Sequence, residues 1–365
     1  MRSRRILWFS AYSTNLRAAA FARCLRDLDY EVVAPRPRGR PGSIDELVRT
    51  LVPNCWLALT ARADMAAGFK PHLNVTLPLL ICKLRGMPTW IDVDDLDHAY
   101  RQGWLARAVE LSQRPFPRLF RIVSYHNARL REFLLTRMRC RQGQLLRIEQ
   151  GVDSEVFGAP ARAAKTSDIE QAFGLAGKRV AIYTAHLNVA SDLEPVLAAW
   201  QHVVPQLPDA FLLVVGGGPL LDQYRRTVQA MRLTAQVCFT GEVPHQDVPA
   251  HVALARVALL YLSPRLASDY RCSLKLREYL AAGLPVACND VGELKEFAQL
   301  TYQCGSDPQV FAATIVRVLR GGGDGREQAA RAYAREHLDW RRIVGAAAAE
   351  IAKRAGSTGE KGERI

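Results

Sequence analysis

Short apolar runs alternate with amphipathic stretches along most of the chain, and the alternation begins twice. Residues 5–10 read as a first strand, 16–28 as a helix and 31–34 as a second strand. Residues 55–60 are expected to form the third strand, 89–93 the fourth and 121–124 the fifth. The pattern restarts with a strand over 179–184, a helix over 192–203, a strand over 211–216 and a helix over 220–232. Further strands are expected over 236–240, 257–261 and 285–288. Strands separated by helices imply parallel sheets joined by right-handed crossovers. The fold class is therefore α/β, with two successive Rossmann-like units of about 150 residues each.

The segment from Ser273 to Val286 carries the most chemistry. Ser273 suits an N-cap, Leu274 to Ala282 are good helix formers, and Gly283 followed by Pro285 stops the helix. Lys275 and Glu278, three apart, share one face near the positive helix end. A phosphate could meet free amides and an ammonium there, and a carboxylate one turn later could take hydroxyls.

A chain of 365 residues holds two domains with real cores, and 49% hydrophobic content is that of a globular enzyme. The 49 Lys+Arg against 36 Asp+Glu favour an acidic partner: nucleic acid, anionic lipid or a phosphorylated substrate. Eight cysteines without CxxC spacing read as reduced thiols. The first residues resemble a signal n-region, but Ser10, Tyr12, Asn15 and Arg17 break the apolar run, so export is not expected. No segment approaches the ~20 apolar residues of a membrane span. A cytoplasmic location follows as the expectation.

Three further runs stay open between readings. Gly216-Gly-Gly-Pro219 lets a ligand approach the backbone or simply makes a tight turn. It does not match GxGxxG, which argues against a dinucleotide dehydrogenase. Asp92-Val-Asp-Asp-Leu-Asp-His98 follows a strand, and its carboxylates suit a sugar or acceptor contact, a capped loop or, less well, a metal. The belt from Arg107 to Arg147 carries ten arginines against Glu110 and Glu132. It fits an anionic membrane surface or an ordinary helix with solvated arginines. Nucleic acid is not expected, because aromatic residues do not interleave with the charges.

Several runs together resemble GT-B glycosyltransferases of the large retaining family 4, glycosyl transferases group 1. Gln150-Gly-Val-Asp-Ser-Glu-Val-Phe157 is similar to their "NGVDxxxF" linker, and residues 211–219 to their "ivGxGp" turn. Residues 237–243 resemble "VxFlGxv", residues 275–293 "KlxEymAxGxPVvaxdvGg", and Leu338-Asp-Trp-Arg the "fsW" of the last helix. The matches run from about 150 to 345; the first half matches in outline only.

The resemblance implies two Rossmann-like domains facing a central cleft and a nucleoside diphosphate sugar as donor, with no cofactor and no metal. It implies that Glu278 takes the ribose hydroxyls, that amides of Ser273 and Leu274 with Lys275 face the diphosphate, and that backbone around Gly217 and Val243 meets the donor. There are departures. Tyr270 replaces the first of two glutamates eight apart, and His186, with Ala190 and Ser191, stands where an arginine and a lysine are usual. Asp94, beside Asp95, stands where a cleft histidine is common, and Tyr12, Ser13 and Asn15 replace a glycine-rich first loop on the acceptor side. Lys275, His186, Asp94 and Asp95 are thus the catalytic candidates, with Tyr270 among the donor-binding ones.

The implied domains are an acceptor-side domain over 1–155, a donor domain over 170–335, a helix over 336–354 crossing back, and a disordered tail over 355–365. The implied activity is retaining transfer to a lipid-linked, polysaccharide or other glycan acceptor, peripherally at the inner membrane face. The alternatives are a degenerate GT-B module that binds without catalysis and a sugar-nucleotide epimerase.

Overall fold

The structure is a computed structural model that describes residues 4–36, 38–41, 43–100, 103–158 and 163–356. The chain divides into two compact units, one of Met1–Gly151, Tyr270–Cys272 and Trp340–Ile365, the other of Val152–Asp269 and Ser273–Asp339.

The first unit holds β1 (Arg5–Ser10), β2 (Glu31–Val33), β3 (Met65–Phe69), β4 (Thr89–Asp92), β5 (Ile122–Tyr125) and β6 (Leu145–Arg147). They form one parallel sheet in the order β2-β1-β3-β4-β5-β6. Its helices are α1 (Leu16–Asp27), α2 (Ile44–Thr60), α3 (Leu73–Leu84), α4 (Gly103–Gln113) and α5 (Ala128–Thr136). Period-two alternation sends Leu7, Phe9, Ala66, Ile91 and Val123 to a core with α3 and α5. Ile6, Trp8, Ala67, Trp90 and Ile122 go to the other face, under α1 and the chain's last helix.

The third strand differs from the sequence expectation. Residues 55–60 close the helix α2, whose Pro53 lies inside it, and the strand is the Ala/Gly-rich β3. Gly68 explains the composition of β3: a Cβ there would come within 2.5 Å of Val75 and Leu79 of α3. The strand is small because the helix lies close upon it.

The second unit holds α6 (Ser154–Gly158), α7 (Ala163–Ala172), β7 (Arg179–Thr184), α8 (Leu193–Val203), β8 (Ala210–Val215), α9 (Leu221–Ala230) and β9 (Val237–Phe239). It continues with α10 (Val248–Val252), β10 (Val257–Leu260), α11 (Leu266–Tyr270), α12 (Leu274–Ala282), β11 (Val286–Asn289), β12 (Tyr302–Cys304), α13 (Pro308–Leu319) and α14 (Arg326–His337). The parallel sheet runs β12-β11-β10-β7-β8-β9, with apolar clusters on both faces.

The last helix, α15 (Trp340–Gly356), begins at the tryptophan rather than at 336, because Glu336 and His337 still belong to α14. It packs within the first unit, where Trp340, Val344 and Ile351 join the core. Of the expected tail, residues 355 and 356 end α15, and 357–365 lie outside the described residues. Among the described residues no helix is long and apolar enough to cross a membrane, and all eight cysteines are free thiols.

Candidate functional site

In the second unit the strand order reverses between β7 and β10, so the loops after these strands diverge at the carboxyl edge of the sheet. That is where α/β sheets take ligands. The helix α12 starts there. Ser273 Oγ accepts the Leu276 amide at 3.4 Å, and Gly283 ends the helix at φ 68°. Tyr279 ties it to β7, its hydroxyl accepting the Thr184 amide at 2.9 Å.

Glu278 is buried, and its Oε1 accepts from His245 Nε2 at 2.8 Å. The hydrogen bond to this carboxylate raises the imidazole above its ordinary value. Lys275 Nζ lies 4.6 Å from the centroid of Tyr183, a cation–π contact at the end of β7. The Ser273 amide does not stay free for an anion, as the resemblance implied. It donates to Glu293, whose carboxylate also holds the buried Arg277 at 2.7 Å. Of the first-turn amides, those of Ser273 and Leu276 are thus taken by side chains, and that of Leu274 lies between them.

The loop after β7 holds His186 exposed, while Ser191 is turned inward, its Oγ donating to Asn188 O at 2.6 Å. Ser191 is therefore a structural tie. The sequence reading missed Arg265, which reaches from the loop after β10 to Asp192 Oδ1 at 2.9 Å and toward the carbonyls of Val189 and Ala190. This puts a guanidinium beside the very loop that lacks the usual cations. It also missed His245, two positions beyond Val243. Val243 itself is half-buried against the apolar cluster under the sheet.

The glycines act as a crossing. A Cβ on Gly216 would meet Ala185 O at 1.9 Å, and one on Gly217 the Glu242 amide at 2.9 Å. Leu187 N donates to Gly217 O at 2.8 Å, so the turn after β8 locks the loop after β7. Tyr270 counts with the first unit, its ring edge-on to Phe133 with centroids 5.6 Å apart.

In the first unit the order reverses between β1 and β3. A pocket of about 270 Å³ is lined there by Ser10, Tyr12, Ser13, Asn15, Glu46 and Asn54. Asn15 caps α1, accepting from Ala18 N at 2.9 Å, and its amide donates to Asp94 Oδ2 at 3.3 Å. Ser13 N donates to Glu46 Oε1 at 2.7 Å, and Tyr12 stands edge-on to His72.

The acidic run divides by role. Asp92 is buried in a two-pronged pair with Arg17 (2.8 and 3.2 Å) and accepts from Ser124, so it belongs to the framework. Asp97 accepts from Lys70 at 2.9 Å and pairs with His72. Burial works against these two charges, but Asp94 and Asp97 hold Lys70 above its usual range, and His72 and Lys70 hold Asp97 well below its own. Lys70 itself sits at φ 65°, a strained backbone at the end of β3. Asp95 Oδ1 accepts the Leu96 amide at 2.8 Å. Asp94 differs: its shielded Oδ1 has no hydrogen-bond partner among the described residues. Burial raises Asp94 to about 6, with Asp92 and Asp95 adding to the rise against the pull of Lys70 and Arg17.

In the arginine belt, Leu130, Phe133 and Leu134 of α5 are buried in the core, so this helix has no apolar face left over.

Residues 178–321 match the model of the family Glycosyl transferases group 1. A GDP-mannose-dependent alpha-(1-6)-phosphatidylinositol monomannoside mannosyltransferase of Mycolicibacterium smegmatis is 28% identical over 211 residues, 55% of this chain. The alignment covers 54% of that relative, so the chain spans about half its length. A glycosyltransferase from Rickettsia africae superposes with a TM-score of 0.78 at 10% identity, over 98% of this chain and 100% of the other. Anabaena HepE in complex with UDP and glucose superposes with a TM-score of 0.73 at 15% identity, over 96% and 100%. The fold is the GT-B fold, and the expected fold class stands.

Proposed function

We propose, from the premise that this is a GT-B chain whose residues 178–321 match the glycosyl transferases group 1 model, that the protein is a retaining glycosyltransferase. It moves a sugar from a nucleoside diphosphate sugar to a lipid-linked, polysaccharide or other glycan acceptor. The observation that carries this is the pairing of Lys275 with Glu278 on the first turns of α12, at the edge where the second sheet reverses. Glu278 is a buried acceptor of hydroxyl protons and suits a ribose. Lys275, the amide of Leu274 and the positive helix end suit a diphosphate. Negative charge grows on the diphosphate as it leaves, so these groups act most strongly in the transition state. Helix amides and cations do this without a metal ion. Retention is read as front-face attack, with no separate nucleophile.

The relatives support the donor class: one is named for GDP-mannose, another was captured with UDP and glucose. What they share is a nucleoside diphosphate. On the acceptor side we assign the pocket of Tyr12, Ser13 and Asn15, with Asp94 taking an acceptor hydroxyl. The inward turn of Ser191 and the tyrosine at 270 in place of the usual glutamate favour the second reading, a module that binds nucleotide without transfer. Arg265 weighs against it, since it returns a cation to the depleted loop.

Incubation with a panel of nucleoside diphosphate sugars and a membrane lipid extract tests the assignment. One donor should release its nucleoside diphosphate with sugar appearing in the extract, and EDTA should leave the rate unchanged. Binding of a nucleotide without any transfer would favour the non-catalytic module; loss of the rate with EDTA would overturn the metal-free assignment.

A further inference from the structure

The helix α2 is inside out. Its buried face is Glu46, Thr50, Asn54 and Ala58 at four-residue steps. Offset from these by two residues, about 200° around the helix, stand Ile44, Val48, Val52 and Trp56. These four and Leu59 are 56–74% exposed. A helix on a water-soluble domain normally turns its apolar stripe to the core. Here the core side is a hydrogen-bonded network, flanked by Ala58 and the partly buried Leu47 and Leu57. Asn54 donates to Asn74 O at 2.6 Å, Asn74 to Thr50 Oγ1 at 3.0 Å, and Glu46 accepts the Ser13 amide. The polar face therefore has its partners within the fold, and the apolar stripe is left exposed among the described residues.

The neighbouring α3, which meets the polar face of α2 through Asn74, also leaves Leu73, Leu77 and Leu84 exposed. Cations frame this surface. Exposed Arg36, Arg38 and Arg40 precede α2, and the loop is held to the helix by the Arg40 amide on Asp45 at 3.0 Å. Arg62 follows α2, and Lys83 lies on α3. Between residues 36 and 85 the chain has eight Lys/Arg against Asp45, Glu46 and Asp64, and Glu46 is buried.

We infer that the α2–α3 face docks on an anionic bilayer, lying in the headgroup boundary with Val52 and Trp56 inserted. An apolar stripe with a tryptophan, rimmed by arginine, is the chemistry that partitions there. A second copy of this chain is the poorer occupant, because a two-fold contact would bring the same cations face to face. The surface is distinct from the Arg107 to Arg147 belt, whose helix α5 turns Leu130 and Leu134 to the core. It deepens the acceptor reading and rests on it for substrate class. The polar side of α2 lines the acceptor pocket, so docking would set that pocket beside lipid headgroups.

Co-sedimentation of the full chain with phosphatidylcholine vesicles, with and without phosphatidylglycerol, tests this without donor or acceptor, so it can fail independently of transfer. Binding should need the anionic lipid and weaken with salt. Val52→Ser with Trp56→Ser should reduce it about tenfold or more, while Arg129→Gln with Arg131→Gln should change it little. Trp56→Phe, which keeps the stripe, should lose quenching by brominated lipid and retain binding, whatever the double variant does to folding. Absence of binding to anionic vesicles, equal binding by a folded double variant, or a dimer in solution that the double variant breaks would each overturn the inference.

Discussion

Asp94 is the side chain whose role is most open to titration. Burial raises it to about 6, above the ~4 of a free aspartate. Its folded-state pKa is raised, so its contribution to stability is present below about 4 and is lost as pH rises through 6. Asp94→Asn should therefore raise the melting temperature at pH 8 and leave it little changed at pH 4. If its ionised form takes the acceptor hydroxyl proton, turnover should fall as pH drops through about 6, and Asp94→Asn should abolish that limb. A wild-type limb retained in the variant would remove Asp94 from the chemistry. On the donor side, Lys275→Ala and Arg265→Ala should lower turnover more than donor binding, by about tenfold or more, with Arg265→Lys recovering part. Equal losses in both constants would mean uniform binding. Glu278 and Lys275 are legible in the sequence because three-residue spacing places them on one helix face. His245 and Arg265 are not, because they arrive from loops after other strands, 33 residues from Glu278 and 73 from Asp192.

At the scale of elements, legibility followed local chemistry. The helix α12 carries its own cap, stop and strand, and the structure has them where the sequence placed them. The third strand was misplaced because both of its signals are inverted. Residues 55–60 are apolar yet end a helix whose apolar stripe is exposed, and β3 is Ala/Gly-rich because α3 presses on it. The strands β6 and β12, three residues each at sheet edges, offered too little periodicity. The loop after β1 is held by a tie that no local rule gives: Arg17 of α1 pairs with Asp92 at the end of β4 and donates to the Ile148 and Glu149 carbonyls at 2.8 Å. Arg17→Met would leave Asp92 buried and unpaired, and should destabilise the fold by about 3–5 kcal/mol in chemical denaturation. A loss under about 1 kcal/mol would mean that Asp92 is neutralised by other means.

At the scale of the whole molecule, two α/β units were legible from the restart of the strand pattern, and the described residues form two parallel six-stranded sheets, each with one reversal of strand order. The reversals were not legible, since strand order is set by crossover packing rather than by any single run. They place the two residue groups: Glu278, Lys275 and Arg265 at the edge of the second sheet, and Asn15 and Asp94 at that of the first. The central claim is that the first of these groups binds a nucleoside diphosphate. Calorimetric titration with GDP, UDP and other nucleoside diphosphates, beside a Glu278→Ala control, tests it most directly. The account predicts saturable binding of one nucleotide by the wild type, weakened at least about tenfold in the control, with the same melting temperature. Binding that survives Glu278→Ala unchanged, or no binding by a folded wild type to any member of the panel, would contradict it.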